Sequence, residues 1–263
     1  PAKDTKVIPD ETDKVTYTKI GSWIPVDPTT GKDGDPIPFP NDPNDPTKTG
    51  EITQIIPHKD GYTPKDGNGT PLEPVNPAKP EEGYKPPKIT DPKANIKITY
   101  EKDNQKAKVK FVSVDDKGVE TPLDTKYNID DLTGKSGDKI PEEKVQARVD
   151  VLKSMGYDVV DNPFDQDPTF DTKKEIDQEF TIKVKPQVST AKPVYVVEGD
   201  KPSSEKLKDA VTTKGNEKTV DETKLPDTTD KVGDDTLTAP VTVTYGSGDN
   251  KREETVNVPI KVV

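Results

Sequence analysis

The chain has 263 residues, of which only 27% are hydrophobic and 34% are charged, so several small domains with polar skins are expected rather than one large core. Its net charge of −11 comes from acids and lysines interspersed along the whole length. There is no basic stripe to meet a phosphate backbone, which argues against a nucleic-acid partner. Cysteine is absent, which removes disulfides, thiol catalysis and thiolate metal sites, and no apolar run is long enough for membrane insertion.

Residues 1–105 hold 18 of the 28 prolines, a density that almost excludes helix. Residues 15–20, 23–26 and 52–56 read as strands. Asp27-Pro-Thr-Thr-Gly and Asn41-Asp-Pro-Asn-Asp-Pro-Thr read as turns, because Asn or Asp before Pro favours extended or turn backbone. Residues 95–100 close this part with Ile96, Ile98 and Tyr100 alternating. A β-rich module with much polyproline-like loop is expected.

Residues 107–185 read as a complete folding unit. An alternating segment, 107–114, puts Val109 and Phe111 on one face, and Asp115-Asp116-Lys117-Gly118 turns the chain. A helix is predicted over 141–155, with Pro141 at its start and Glu142 and Glu143 at the positive end of its dipole. Val145, Val149 and Leu152 make one apolar stripe that Met155 extends, and Gly156 supplies a left-handed cap. Strands follow at 157–160 and 180–184. One helix with one stripe, beside a few half-buried strands, lays that stripe on a sheet face, giving a small ubiquitin-like β-grasp roll of the α+β class.

Beyond a short linker rich in Ser, Thr and Pro, residues 192–197 read as a strand and 203–211 as a short helix capped by Ser203 or Ser204. Residues 238–245 and 254–263 then form a hairpin about Gly246-Ser-Gly-Asp. Val241, Val243 and Tyr245 face inward on one strand, and Val256, Val258, Ile260 and Val262 on the other. These are the core of a small sandwich. The expected organisation is therefore a multi-domain, β-rich tandem of modules at 1–105, 106–186 and 187–263. A chain that starts at Pro1 without a signal peptide and stops directly after a strand reads as a piece of a longer protein.

Val109-Lys-Phe-Val-Ser-Val-Asp-Asp, Leu132-Thr-Gly-Lys-Ser-Gly-Asp, Met155-Gly-Tyr-Asp-Val-Val and Asp161-Asn-Pro-Phe resemble the MucBP unit of mucus-binding repeats. Phe170-Asp and Asp177-Gln-Glu-Phe-Thr-Ile-Lys-Val-Lys continue that resemblance. Gly21-Ser-Trp-Ile-Pro, Gly61-Tyr-Thr-Pro, Leu72-Glu-Pro-Val and Gly83-Tyr-Lys-Pro-Pro look like the proline-rich module that accompanies such units. Glu198-Gly-Asp, Pro226-Asp, Val232-Gly-Asp and the final hairpin look like a Rib domain, which implies an immunoglobulin-like β-sandwich and a stalk role. The resemblances imply an adhesin of Gram-positive, especially lactobacillar, cell surfaces. Such a protein is secreted and cell wall-anchored, and meets host mucin or another glycoprotein by weak multivalent contact. It would be a monomer within a longer multi-repeat protein, with no catalytic residues. A non-binding stalk is the alternative, and an immunoglobulin-binding module using a β-grasp edge is another.

Candidate chemistry is sparse. His58 is the single histidine, so neither a zinc site nor a Ser-His-Asp triad can be assembled from the ordinary parts, and a surface or turn histidine is expected. Acids number 50, so close carboxylate pairs arise everywhere and do not single out a glycosidase. Asp161, Asp165, Asp167 and Asp171 pack four carboxylates into eleven residues, and all-oxygen ligation suits calcium. They lack EF-hand spacing, so solvated turn aspartates are the plainer reading. Tyr17, Trp23, Tyr62 and Tyr84 are candidate ligand contacts, since Trp and Tyr dominate binding hot spots. Prolines close to Trp23, Tyr62 and Tyr84 offer ring-on-proline packing as the competing explanation.

Overall fold

The structure, a computed structural model, describes residues 19–263; Tyr17 and most of the strand expected at 15–20 lie outside them. The chain is β-rich and divides into two compact units. One unit takes the described residues up to 105 together with 134–138 and 170–176, and the other takes 106–133, 139–169 and 177–263.

In the first unit, β1 (Ser22–Pro25), β2 (Ile37–Pro38), β5 (Tyr62–Lys65) and β6 (Ile96–Lys102) form a sheet in the order β2-β1-β6-β5. A separate hairpin joins β3 (Asn41–Asp42) to β4 (Asp45–Thr49). β1 runs parallel to β6, whereas β2 and β5 pair antiparallel with their neighbours. Alternation on β6 turns Ile98 and Tyr100 inward, where Trp23, Phe39, Ile56 and Tyr84 complete a small core. The strand expected at 52–56 is absent. Its isoleucines at 52, 55 and 56 do not alternate, and only Ile56 pairs, through a single bridge with Tyr84. Ile52 and Ile55 remain 38% and 46% exposed.

The second unit begins with a mixed sheet of order β10-β11-β7-β8, with β9 also on β7. Its strands are β7 (Asn104–Val114), β8 (Glu120–Pro122), β9 (Ile129–Lys135), β10 (Tyr157–Asp161) and β11 (Gln178–Pro186). β7 and β11 pair in parallel over seven positions, Ala107–Ser113 with Gln178–Val184. The turn after β7 follows the sequence reading: Asp115 accepts from the amides of Lys117 and Val119, and Gly118 has φ +81°. Helix α1 (Glu143–Ser154) packs against β10 and buries Val145, Val149 and Leu152, with Met155 extending the stripe. Gly156 then caps it at φ +79°, donating to the Lys153 carbonyl.

The rest of this unit contains β12 (Thr190–Ala191), β13 (Val194–Val196), α2 (Ser204–Ala210), β14 (Val211–Thr212), β15 (Glu217–Thr219), β16 (Thr238–Ser247) and β17 (Asn250–Val262). Ser203 caps α2 through a bond to the Lys206 amide. The sheet order is β13-β17-β16-β15, with β12 paired to β14 beside it. The final hairpin is longer than its hydrophobic pattern suggested. Its ladder continues to Ser247↔Asn250, so the chain turns at Gly248-Asp249. All seven expected inward residues, from Val241 to Val262, are buried in one cluster.

Arg252 on β17 ties this hairpin to the end of α1. Its guanidinium group donates to the carbonyls of Met155 (2.9 Å), Gly156 (3.1 Å) and Gln187 (3.1 Å). The same group lies 4.2 Å from the Tyr245 ring centroid and 5.1 Å from that of Tyr157. Gly156 is required here twice over, for its positive φ and because a Cβ would lie 2.4 Å from the Tyr245 ring. Beside it, Glu254 accepts from the Ser189 hydroxyl (2.6 Å), the Ser189 amide (2.9 Å) and the Tyr245 hydroxyl (2.8 Å). Burial works to raise the Glu254 pKa, but these bonds and the Arg252 charge together hold it below the usual glutamate value.

Candidate functional site

A cleft of about 660 Å³ opens in the first unit, within the size range of small-ligand sites. One side is apolar. Pro71, Leu72, Pro74 and Pro80 line it together with Tyr84, on a proline-rich stretch that makes isolated bridges, Lys65↔Pro71 and Pro74↔Tyr84, rather than strands. The other side is polar. Thr63 on β5, Asp103 just beyond β6, and 172–175 supply it, with His58 and Asp60 from the loop before β5.

Asp103 is the buried anchor of this wall, at 9% exposure. It accepts from the Thr63 hydroxyl at 2.5 Å, and Lys174 lies 3.9 Å away. The His58 ring lies nearly parallel to Tyr84, with centroids 6.3 Å apart and planes at 16°. His58 Nε2 meets the Asp60 carboxylate at 3.0 Å, whereas Nδ1 is buried with no partner among the described residues. Among the described residues no hydroxyl engages that nitrogen. Burial raises the Tyr84 pKa, and the Asp103 and Glu175 carboxylates add to the rise, so the ring stays neutral throughout the physiological range. The lining holds four carboxylates (Asp60, Glu81, Asp103, Glu175) against two lysines (Lys173, Lys174). Its field therefore favours uncharged or cationic groups over anions.

Of the three aromatic candidates among the described residues, only Tyr84 lines this cleft. Tyr62 is half-buried on β5 against the core. Trp23 corrects the expectation of a ligand contact: it is 0% exposed, edge-on to Phe39 at 4.7 Å, and its indole N–H donates to the Pro87 carbonyl at 3.1 Å. A domain so poor in aliphatics uses its largest ring as core. His58, read from sequence as a surface or turn residue, lies in the loop before β5 and also lines the cleft. The residues that line the cleft with it, Asp103 and Lys174 among them, are distant in sequence, and no local pattern marks them.

The four aspartates proposed for calcium do not form a site. Asp161 ends β10, and Asp165 lies exposed in a 3-10 turn, Pro163–Gln166, that turns Phe164 inward and its acids outward. Asp167 caps that turn at φ 50° and pairs with Lys139 at 3.2 Å, which lowers its pKa. Asp171 accepts from the Lys173 amide at 3.1 Å. Among the described residues no three His, Asp or Glu side chains are placed to hold a metal ion. Millimolar calcium is accordingly expected to leave the melting temperature unchanged. A rise that Asp167→Asn abolishes would restore the calcium reading.

No helix among the described residues is long and apolar enough to cross a membrane. No curated protein matches the chain. Among solved structures, the chain is similar to the type 2 repeat of the mucus binding protein MUB from Lactobacillus reuteri. That similarity has 12% identity and a TM-score of 0.22, and covers 59% of this chain and 96% of that one. Residues 105–186, which contribute 172–175 to the cleft wall, match the family described as mucin binding domain.

Proposed function

We propose that the chain is part of an extracellular adhesin that binds mucin-type glycoproteins, and that it is not an enzyme. The match of residues 105–186 to a mucin binding domain carries this reading. In the same reading the chain is a tandem of a proline-rich module (1–105), a β-grasp module (106–186) and a Rib-type sandwich (187–263), borne on a Gram-positive, cell wall-anchored protein. Contact is weak at each copy, and many copies on one surface convert it into avidity. The cleft is the point of contact within this proposal. Its apolar wall and its hydrogen-bonding carboxylates suit a sugar ring with free hydroxyls, and the carboxylate excess disfavours sialylated or sulfated ends.

The test is retention of beads bearing many copies of the full chain on immobilised mucin, compared with the same chain free in solution. Beads should be held, with an avidity gain on the order of 10²–10⁴ over the free chain. Thr172→Trp, at an exposed cleft position, should reduce retention without altering the melting curve. Unchanged retention by that variant would place the contact elsewhere. No retention by the wild-type chain would leave the spacer reading.

A further inference from the structure

We infer that this chain carries tension along its length, through parallel strand pairs formed where the chain enters and leaves each folded stretch. The inference rests on strand register alone and needs no ligand. Among the described residues, β1 begins its stretch and β6 closes it, and the two pair in parallel at Trp23↔Ile96, Ile24↔Lys97 and Pro25↔Ile98. β7 opens the next stretch and β11 closes it, parallel from Ala107↔Gln178 to Ser113↔Val184. β13 and β17 repeat the arrangement at Val194↔Ile260, Tyr195↔Lys261 and Val196↔Val262.

The direction of these pairs decides how they respond to a pull. When opening and closing strands are adjacent and antiparallel, both outer ends lie at the same edge, and a pull opens the ladder one bond at a time. In a parallel pair the outer ends lie at opposite edges. Pulling them apart slides one strand along the other, so every bond in register is strained together. Forced unfolding is governed by the unfolding barrier, and a barrier set by many bonds breaking at once is high.

The three pairs differ in strength for visible reasons. β7–β11 has seven register positions, against three each for β1–β6 and β13–β17. Neither β7 nor β11 is an edge, since β8 and β9 flank one and β10 the other. Val109, Phe111, Ile182 and Val184 on this pair are at most 1% exposed, so one face of the ladder is shielded from water. β13 is an edge strand, with Tyr195 67% exposed. The middle pair is therefore the strongest clamp and the last pair is weaker.

Single-molecule pulling tests this directly, because the chain has no cysteine and two engineered thiols define the attachment points. Handles on Lys106→Cys and Lys185→Cys pull β7 and β11 lengthwise past each other. Handles on Lys108→Cys and Glu179→Cys, which are register partners, pull the same two strands apart sideways. The lengthwise geometry should need several-fold more force at equal loading rate, with both variants melting at the same temperature. Pulled from its ends, the full chain should show its highest-force event with release of residues 107–184, about 28 nm at roughly 3.6 Å per residue. Equal forces in the two geometries, or release of 107–184 at the lowest force, would overturn the inference.

Discussion

Trp23→Ala should destabilise the first unit by about 3–5 kcal/mol, the range for removing a large aromatic from a core. The loss is large against a typical domain stability of about 5–15 kcal/mol. One core cluster of this unit has, among the described residues, six buried members, Trp23, Phe39, Ile56, Tyr84, Ile98 and Tyr100, and Trp23 is the largest of them. Its removal leaves Phe39 without its edge-on partner and the Pro87 carbonyl without its donor. It also thins the β1–β6 pairing, since Trp23 is the residue opposite Ile96. Dichroism melts should show an early transition, and hydrogen exchange should place it in β1 and β6. Ile52→Ala, at a 38% exposed position in the same unit, should shift the melt very little. An unchanged melt for Trp23→Ala, with lost ligand binding, would restore Trp23 as a candidate ligand contact.

Arg252→Ala should cost the second unit about 2–4 kcal/mol, since charged hydrogen bonds contribute roughly 1.5–3 kcal/mol each but do not add fully. One guanidinium serves three carbonyls on two segments and lies against two rings, so its loss leaves all of them unserved together. Arg252→Lys should recover only part of the loss, because an ammonium lacks the planar fork and stacks less well. Calorimetry provides the measurement. The wild-type unit should melt in one transition, and Arg252→Ala should separate the part built on α1 from the part built on the β16–β17 hairpin. A single unshifted transition in the variant would show that these contacts add nothing to cooperativity.

The local parts of this fold were legible in the sequence. The stripe Val145, Val149, Leu152 and Met155, the Gly156 cap, the Ser203 cap and the alternation on β16 and β17 each depend on neighbours within a few residues. Long-range pairing was not legible. Nothing near Val109 states that its partner is Phe180, or that the two strands run the same way. The cleft was hidden for the same reason, since His58, Pro74, Asp103 and Lys174 meet only once the chain has folded. The isoleucines of 52–56 misled because composition suggested a strand where spacing did not. Trp23 was left open between two readings: its residue type suggested contact and its proline neighbours suggested packing, and it is packed.

The parallel pairing of opening and closing strands also bears on how such a protein can grow. Because chain enters beside one end of the β7–β11 ladder and leaves from the other, a following stretch can start where the last one stopped. β12 begins at Thr190, only a few residues after β11 ends at Pro186. A fold whose ends emerged together would need a connector as long as itself before the next copy could be placed beyond it. Here an in-frame duplication of the coding segment can add another copy without a long connector.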